Sequence, residues 1–224
     1  MLSRWRNRRH TQDTRQQFAS PASGVVQQRQ YADYGEYVTH QKSKLEERGL
    51  RIRELSLKKQ RDKRFRDKFA PVVRHSEMRG QILCLGARLG EEVRAYRMLG
   101  FDAIGVDLNP GTGNTDVIQG DFHALPWPAD SFDNVYSNVL DHVLDLHKFM
   151  SEISRVLRPG GKVYFDLTGG YEETGAVDPW GALIWPRNED LVRTLGPWIQ
   201  SMIYDCARKN ERQIVFTVVE LQNG

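Results

Sequence analysis

The residues best suited to chemistry in this 224-residue sequence lie between Leu85 and Asp166. The turn Leu85-Gly-Ala-Arg-Leu-Gly-Glu-Glu92 sets glycines at 86 and 90 between an apolar run and a helix start. Backbone without a Cβ approaches a ligand closely, and the free N–H groups of a starting helix point at it. Two such glycines also occur in ordinary turns, and they match the dinucleotide fingerprint only loosely. Asp107 follows 17 residues after Gly90. A carboxylate there accepts both hydroxyls of a ribose, or serves as a loop acid or helix cap before Asn109-Pro110. In Gly120-Asp-Phe-His123, Asp121 can take the amino group of an adenine while Phe122 packs on the ring; alone, that tetrapeptide reads as a turn. Then come Asp130-Ser-Phe-Asp-Asn-Val-Tyr-Ser137 and Leu157-Arg-Pro-Gly-Gly-Lys-Val-Tyr-Phe-Asp166. One ligand, a nucleoside, explains this order and spacing.

Alternating short strands and helices must hold these groups. Apolar runs predict strands over 81–85, 103–107, 117–118, 132–137 and 162–167, with helices over 91–99 and 146–157 and a turn at 158–161. Gly100 sits where a helix-ending glycine belongs. A short helix over 189–195 and two strands, 199–206 and 213–221, joined by a polar turn, complete the chain. Alternation through five strands implies parallel pairing with helices on both faces.

The net charge of +3 averages two unlike halves. Residues 1–75 hold 19 Lys+Arg against 8 Asp+Glu, whereas residues 76–224 hold 13 against 21. That asymmetry marks a basic extension on an acidic body. Residues 1–30, polar and Arg-rich, are expected to be a disordered tail rather than a transit peptide, and residues 31–75 a basic helical extension. The helical face carries Tyr34, Tyr37, Val38, Gln41 and Leu45, resuming at Leu50, Ile52, Leu55 and Leu57. Its Lys- and Arg-dense part, within residues 42–68, is either a solvated face or a contact for a polyanion. No apolar run is long enough to span a membrane, and no apolar core follows the basic start as a secretory signal requires. Cys84 and Cys206 lie in apolar runs without metal-ligand spacing. Reduced thiols, a cytoplasmic protein and no metal are the expectation.

The stretch from about 81 to 167 resembles class I S-adenosylmethionine-dependent methyltransferases. The LxPGG turn (Leu157, Pro159, Gly160, Gly161) is its most specific piece, supported by the run from Gly120-Asp121 through Leu125-Pro126 to Ser131-Phe132-Asp133. The resemblance implies a doubly wound, Rossmann-like α/β fold with a seven-stranded sheet whose last strand is antiparallel, here residues 76–224. It implies S-adenosylmethionine as cofactor, with Gly86, Ala87, Arg88 and Gly90 flanking the methionine part. Asp107 with Leu108 would meet the ribose, Asp121 and Phe122 the adenine, and Val139 would lie beside the ligand. Two departures stand out: Cys84 replaces the family's early acid, and Arg88 replaces the middle glycine. Arg88 is a candidate partner for the methionine carboxylate, and Glu91 or Glu92 for its ammonium. Residues 31–45 are also similar to the leader before some bacterial methyltransferase domains linked to surface-polysaccharide work.

Methyl transfer needs alignment of donor and nucleophile, plus a base when the nucleophile is a hydroxyl. His142 and Asp141, in the loop after the fourth strand, are the base candidates; capping or packing beside the next helix is the other role open to His142. The Gly-rich insert from Thr168 to Pro186, with Tyr171, Trp180 and Trp185, suits a lid or acceptor loop whose rings either stack on an acceptor or pin the loop. The leading expectation is O-methylation of a small molecule or glycan. A nucleic-acid methyltransferase gripping phosphates with the basic amino terminus, and a non-catalytic protein that keeps the fold, are the alternatives. A nicotinamide-dependent oxidoreductase fits the LRPGG turn and the closing strand pair poorly. Oligomeric state stays open.

Overall fold

The computed structural model describes residues 18–19, 25–47, 58–208 and 211–218. The readings made for the first residues of the chain and for Leu50 to Leu57 lie outside them. Strands and helices, in chain order, are β1 (Phe18–Ala19), β2 (Gln27–Arg29), α1 (Tyr34–Glu47), α2 (Lys58–His75), β3 (Gln81–Leu85), α3 (Glu91–Met98), β4 (Asp102–Asp107), β5 (Val117–Gln119) and β6 (Phe132–Ser137). They continue with α4 (Leu146–Val156), β7 (Leu157–Thr168), α5 (Tyr171–Thr174), β8 (Leu183–Ile184), α6 (Asn188–Leu195), β9 (Ile199–Arg208) and β10 (Glu211–Val218).

Seven strands form one sheet in the order β5-β4-β3-β6-β7-β10-β9. The first five run parallel, and β10 enters antiparallel between β7 and β9. This is the doubly wound architecture expected, with its last strand reversed. The strands read as continuous apolar runs because both faces are covered. In β3, Leu83 and Leu85 face a core completed by Phe149, Met150 and Ile153 of α4 and by Leu191 and Leu195 of α6. Ile82 and Cys84 face the opposite core, with Val93 and Tyr96 of α3. The Asp145 side chain caps α4 by accepting the Lys148 N–H at 2.9 Å.

One sequence reading needs correction. The expected turn at 158–161 lies within β7: Leu157 pairs with Phe132 and Lys162 with Asn134, so Arg158 to Gly161 bulge out of an otherwise continuous strand. Arg158 donates to Asp133 at 2.8 Å and to Gln81 at 2.7 Å, which holds the bulge against the sheet. The basic helix α2 runs through Pro71 to His75, with its Phe69 and Val72 buried in the second core. Phe69 stacks on Tyr96 with ring centroids 4.6 Å apart. Two short strands lie in the amino-terminal segment. β1 and β2 pair antiparallel, and β2 pairs in turn with β8 of the insert. The Arg29 guanidinium fixes that arrangement by donating to the carbonyls of Gly181 (2.8 Å) and Pro179 (2.7 Å).

Several cations of α2 meet acids of the body. Lys68 contacts Asp166 at 2.7 Å, Arg61 contacts Glu91 at 3.2 Å, and Asp62 takes the Arg94 guanidinium at 2.9 Å. Cys84 is buried and Cys206 half-buried, both as free thiols. Among the described residues no helix is long and apolar enough to cross a membrane.

Candidate cofactor and methyl-transfer site

The site begins where β3 ends. Gly86 and Ala87 donate their N–H groups to the Val106 carbonyl at 2.9 and 3.2 Å, which lays the glycine loop along β4. Gly86 has φ 68°, and a Cβ there would come within 2.6 Å of Val139. Only glycine allows the loop to pass that close to the segment after β6. Arg88 also has a positive φ, 42°, a conformation that costs a side-chain-bearing residue. Its N–H is held by Asp107 Oδ2 at 3.0 Å, while Asp107 Oδ1 accepts the Asn109 N–H at 2.7 Å. Asp107 therefore braces both loops at the sheet's carboxyl edge. Burial pushes its carboxyl above the ordinary range, against those two donors and the Arg88 charge.

A cavity of about 280 Å³ opens at this edge. Six of the expected cofactor residues line it: Gly86, Arg88, Asp107, Leu108, Phe122 and Val139. Three do not. Ala87 packs into the second core, and a Cβ on Gly90 would point at Asp116. Asp121 is turned to Tyr34 and His123: it accepts the Tyr34 hydroxyl and the His123 backbone N–H (2.8 Å). His123 Nε2 accepts the Asp145 N–H at 3.2 Å, so the ring proton sits on Nδ1, which donates to Asp121 at 3.0 Å.

Both base candidates, Asp141 and His142, line the cavity. They sit on a 3-10 turn, Leu140–His142, closed by the His142 N–H on the Val139 carbonyl at 2.9 Å. His142 caps no helix; Asp145 does that. His142 Nδ1 lies 3.1 Å from the Trp180 carbonyl, which only accepts, so Nδ1 carries the proton and the lone pair of the neutral ring is on Nε2. Asp141 Oδ2 stands 3.6 Å from Nε2.

The insert supplies what the sequence alone did not bring together. The Ala182 N–H binds the Asp141 carbonyl at 2.6 Å, folding the insert back over the turn. Asp178 thereby joins Asp141 and His142, with one potential ligand atom from each lying within 4.8 Å of the others. A second cavity, about 340 Å³, lies between the end of β7 and the insert and is lined by Tyr171, Val177 and Trp185. Asp141, Thr168 and Asp178 line both cavities. Trp185 also pins the insert, donating its indole N–H to Asn188 at 3.0 Å. From above, α1 contributes Tyr37 and Gln41 to the cofactor cavity wall. The helical stripe had flagged both as face residues, but no motif marked them as site residues. Asn138 and Thr168 were marked only as the first residues of the loop after the fourth strand and of the insert, not as site residues themselves.

Residues 83–165 match the family model described as a methyltransferase domain. The malonyl-[acyl-carrier protein] O-methyltransferase of Yersinia pestis is 31% identical over 105 residues, covering 42% of this chain and 39% of that protein. The fold is similar to the PH0226 protein of Pyrococcus horikoshii OT3 (TM-score 0.57, 18% identity, 68% of this chain and 89% of that one). It is also similar to the glycopeptide N-methyltransferase MtfA complexed with sinefungin (TM-score 0.51, 13% identity, 70% and 87%). Residues 83–165 thus read as a methyltransferase domain. The matches cover well under half the length of the curated relatives. The methyltransferase domain so defined holds the glycine loop, Asp107 and the Asp141–His142 turn, while the insert and both amino-terminal helices lie outside it.

Proposed function

We propose that the chain is an S-adenosylmethionine-dependent methyltransferase that methylates a hydroxyl of a small molecule or glycan. The observation that carries this reading is the wall common to the two cavities: Asp141, Thr168 and Asp178 line both the cavity of about 280 Å³ and the one of about 340 Å³. The residues fit the cofactor. Gly86 leaves open the space a Cβ would close, and each Asp107 oxygen keeps a lone pair for a ribose hydroxyl beyond the backbone N–H it already accepts. Phe122 and Arg88 line the same cavity, which supports roles for the ring beside the adenine and for the guanidinium at the methionine carboxylate.

Bound S-adenosylmethionine supplies an electrophilic methyl group on its sulfonium. The chain's own part is alignment and proton removal. An acceptor hydroxyl seated between Thr168 and Asp141 would lie beside His142, whose Nε2 lone pair takes the proton while the Trp180 carbonyl fixes the ring through Nδ1. The acids at this junction, Asp141 and Asp178, suit a neutral polyhydroxylated acceptor better than an anionic one.

Isothermal titration with S-adenosylmethionine and S-adenosylhomocysteine, with NAD as control, tests the reading. Micromolar binding of the first two, weakened at least tenfold by Asp107→Ala, is expected. Binding of NAD alone would return the site to dinucleotide chemistry. No nucleoside binding would leave a protein that keeps the fold without the cofactor.

A further inference from the structure

We propose that Glu92 is the carboxylate that receives the ammonium of the cofactor's methionine moiety, and that cofactor binding therefore expels a proton from Glu92. The inference rests on the cofactor reading above and extends it to proton-linked binding.

Where the resembled family carries an acid at the end of its first strand, this chain has Cys84, fully buried and with its thiol pushed well up by desolvation. A thiol in that state supplies no negative charge. Two buried carboxylates in the first turn of α3, Glu91 and Glu92, each keep an oxygen without a hydrogen bond, but that of Glu91 faces the Arg61 guanidinium at 3.2 Å, which leaves Glu92. It is 3% exposed. Its Oε1 accepts the Asn138 amide at 3.3 Å, and Oε2 has no hydrogen-bond partner. A buried carboxylate oxygen left open destabilises the fold, more so when charged. Such an atom is tolerated where a ligand completes it. Asn138 itself lines the cofactor cavity, so Glu92 stands one side chain behind the wall at the glycine-loop end.

The groups around Glu92 agree with this. Cys84 of β3 and Tyr136 of β6 couple to it, as do Glu91 and Tyr96 of α3, Arg61 of α2 and Arg88 of the loop. Glu91 is met by Arg61 at 3.2 Å. Burial dominates, opposed by Arg88, and lifts the Glu92 carboxyl to about 7. Near neutrality Glu92 is thus poised between its two states, and an arriving cation favours the charged one. The balance is simple: the protonated carboxyl and the ligand ammonium give a carboxylate–ammonium pair, and the proton goes to solvent.

The probe is S-adenosylhomocysteine, titrated calorimetrically at pH 6 and pH 8 in pairs of buffers that differ in ionisation enthalpy. About one proton released at pH 6 and few at pH 8 is expected, with Kd falling roughly tenfold between them. In Glu92→Gln, a near-isosteric change, that release disappears and affinity at pH 8 drops about tenfold. Protons lost by His142 or Asp107 would persist in this variant and so are separated from those of Glu92. 5′-Methylthioadenosine, which has no ammonium, should bind both proteins equally and without the pH dependence. Binding of S-adenosylhomocysteine without proton exchange at pH 6 overturns the inference, as does an unchanged proton count in Glu92→Gln. Failure of both nucleosides to bind removes the cofactor reading itself, and this inference with it.

Discussion

The Tyr34 hydroxyl donates to the carboxylate of Asp121, 87 positions away, and so occupies the acid expected to meet the adenine. Burial works against ionisation of Asp121, but the hydrogen bonds from His123 and Tyr34 outweigh it and hold the carboxyl at about 2. The same helix also meets the turn after β6 and the insert, where Tyr37 donates to the His142 carbonyl at 3.0 Å and Gln41 to the Trp180 carbonyl at 2.9 Å. α1 therefore links Asp121 with the Asp141–His142 turn.

If Tyr34 competes with the adenine amino group for Asp121, Tyr34→Phe frees an acceptor for the ligand. S-Adenosylhomocysteine should then bind about fivefold more tightly, the worth of one hydrogen bond of about 1 kcal/mol. Calorimetric titration checks this. Weaker binding by the variant would instead make Tyr34 a contact of the bound nucleoside.

The second prediction concerns where the folding unit begins. Phe69 is fully buried and lies within 4.6 to 5.8 Å of the rings of Tyr96, Tyr136 and Tyr164. Phe69→Ala should cost about 3–5 kcal/mol in urea unfolding. A loss below about 1 kcal/mol would mean that α2 is an appendage and contributes little to the core.

The parallel sheet was legible because its strands announce themselves locally. Ile82 to Leu85 are apolar on both faces, and the α4 stripe of Phe149, Met150, Ile153 and Val156 is spaced for one buried helix face. The bulge at 158–161 was not, since Pro159-Gly160-Gly161 has turn chemistry whether or not the strand resumes the same ladder. The site was half legible. Gly86, Asp107 and Val139 sit at strand ends, where topology alone brings them together. Asp178 reaches His142 because the insert is held by Ala182 on the Asp141 carbonyl and by Arg29, some 150 positions earlier. Contacts of that span leave no periodicity in either segment.

For the methyl-transfer end, His142→Ala should lower kcat at least about 100-fold with the true acceptor, the range expected for loss of a general base. The affinity for S-adenosylhomocysteine should stay within about threefold, because Asp107 and the glycine loop are untouched. Asp141→Asn should show a smaller kcat loss with the same affinity. Unchanged turnover in His142→Ala would remove the base role and leave His142 as a wall of the cavity.

Glu92 also predicts a pH dependence of stability in the ligand-free protein. Its carboxyl is raised from an ordinary 4.5 to about 7, chiefly by burial. A carboxyl raised on folding contributes stability that is fully present below its unfolded value and is lost as pH rises through its folded value. Between about pH 4.5 and pH 7, ionisation in the unfolded chain but not in the folded one removes up to about 3 kcal/mol. Gln cannot ionise, so Glu92→Gln lacks that loss. The variant should therefore melt at a higher temperature than the unmodified protein at pH 8, and the gap should shrink toward pH 5. Thermal melts at the two pH values read the difference directly, with all other titrating groups common to both proteins. A gap that is the same at pH 5 and pH 8 would mean that Glu92 titrates like an exposed glutamate, and that the open oxygen behind Asn138 is already satisfied by solvent.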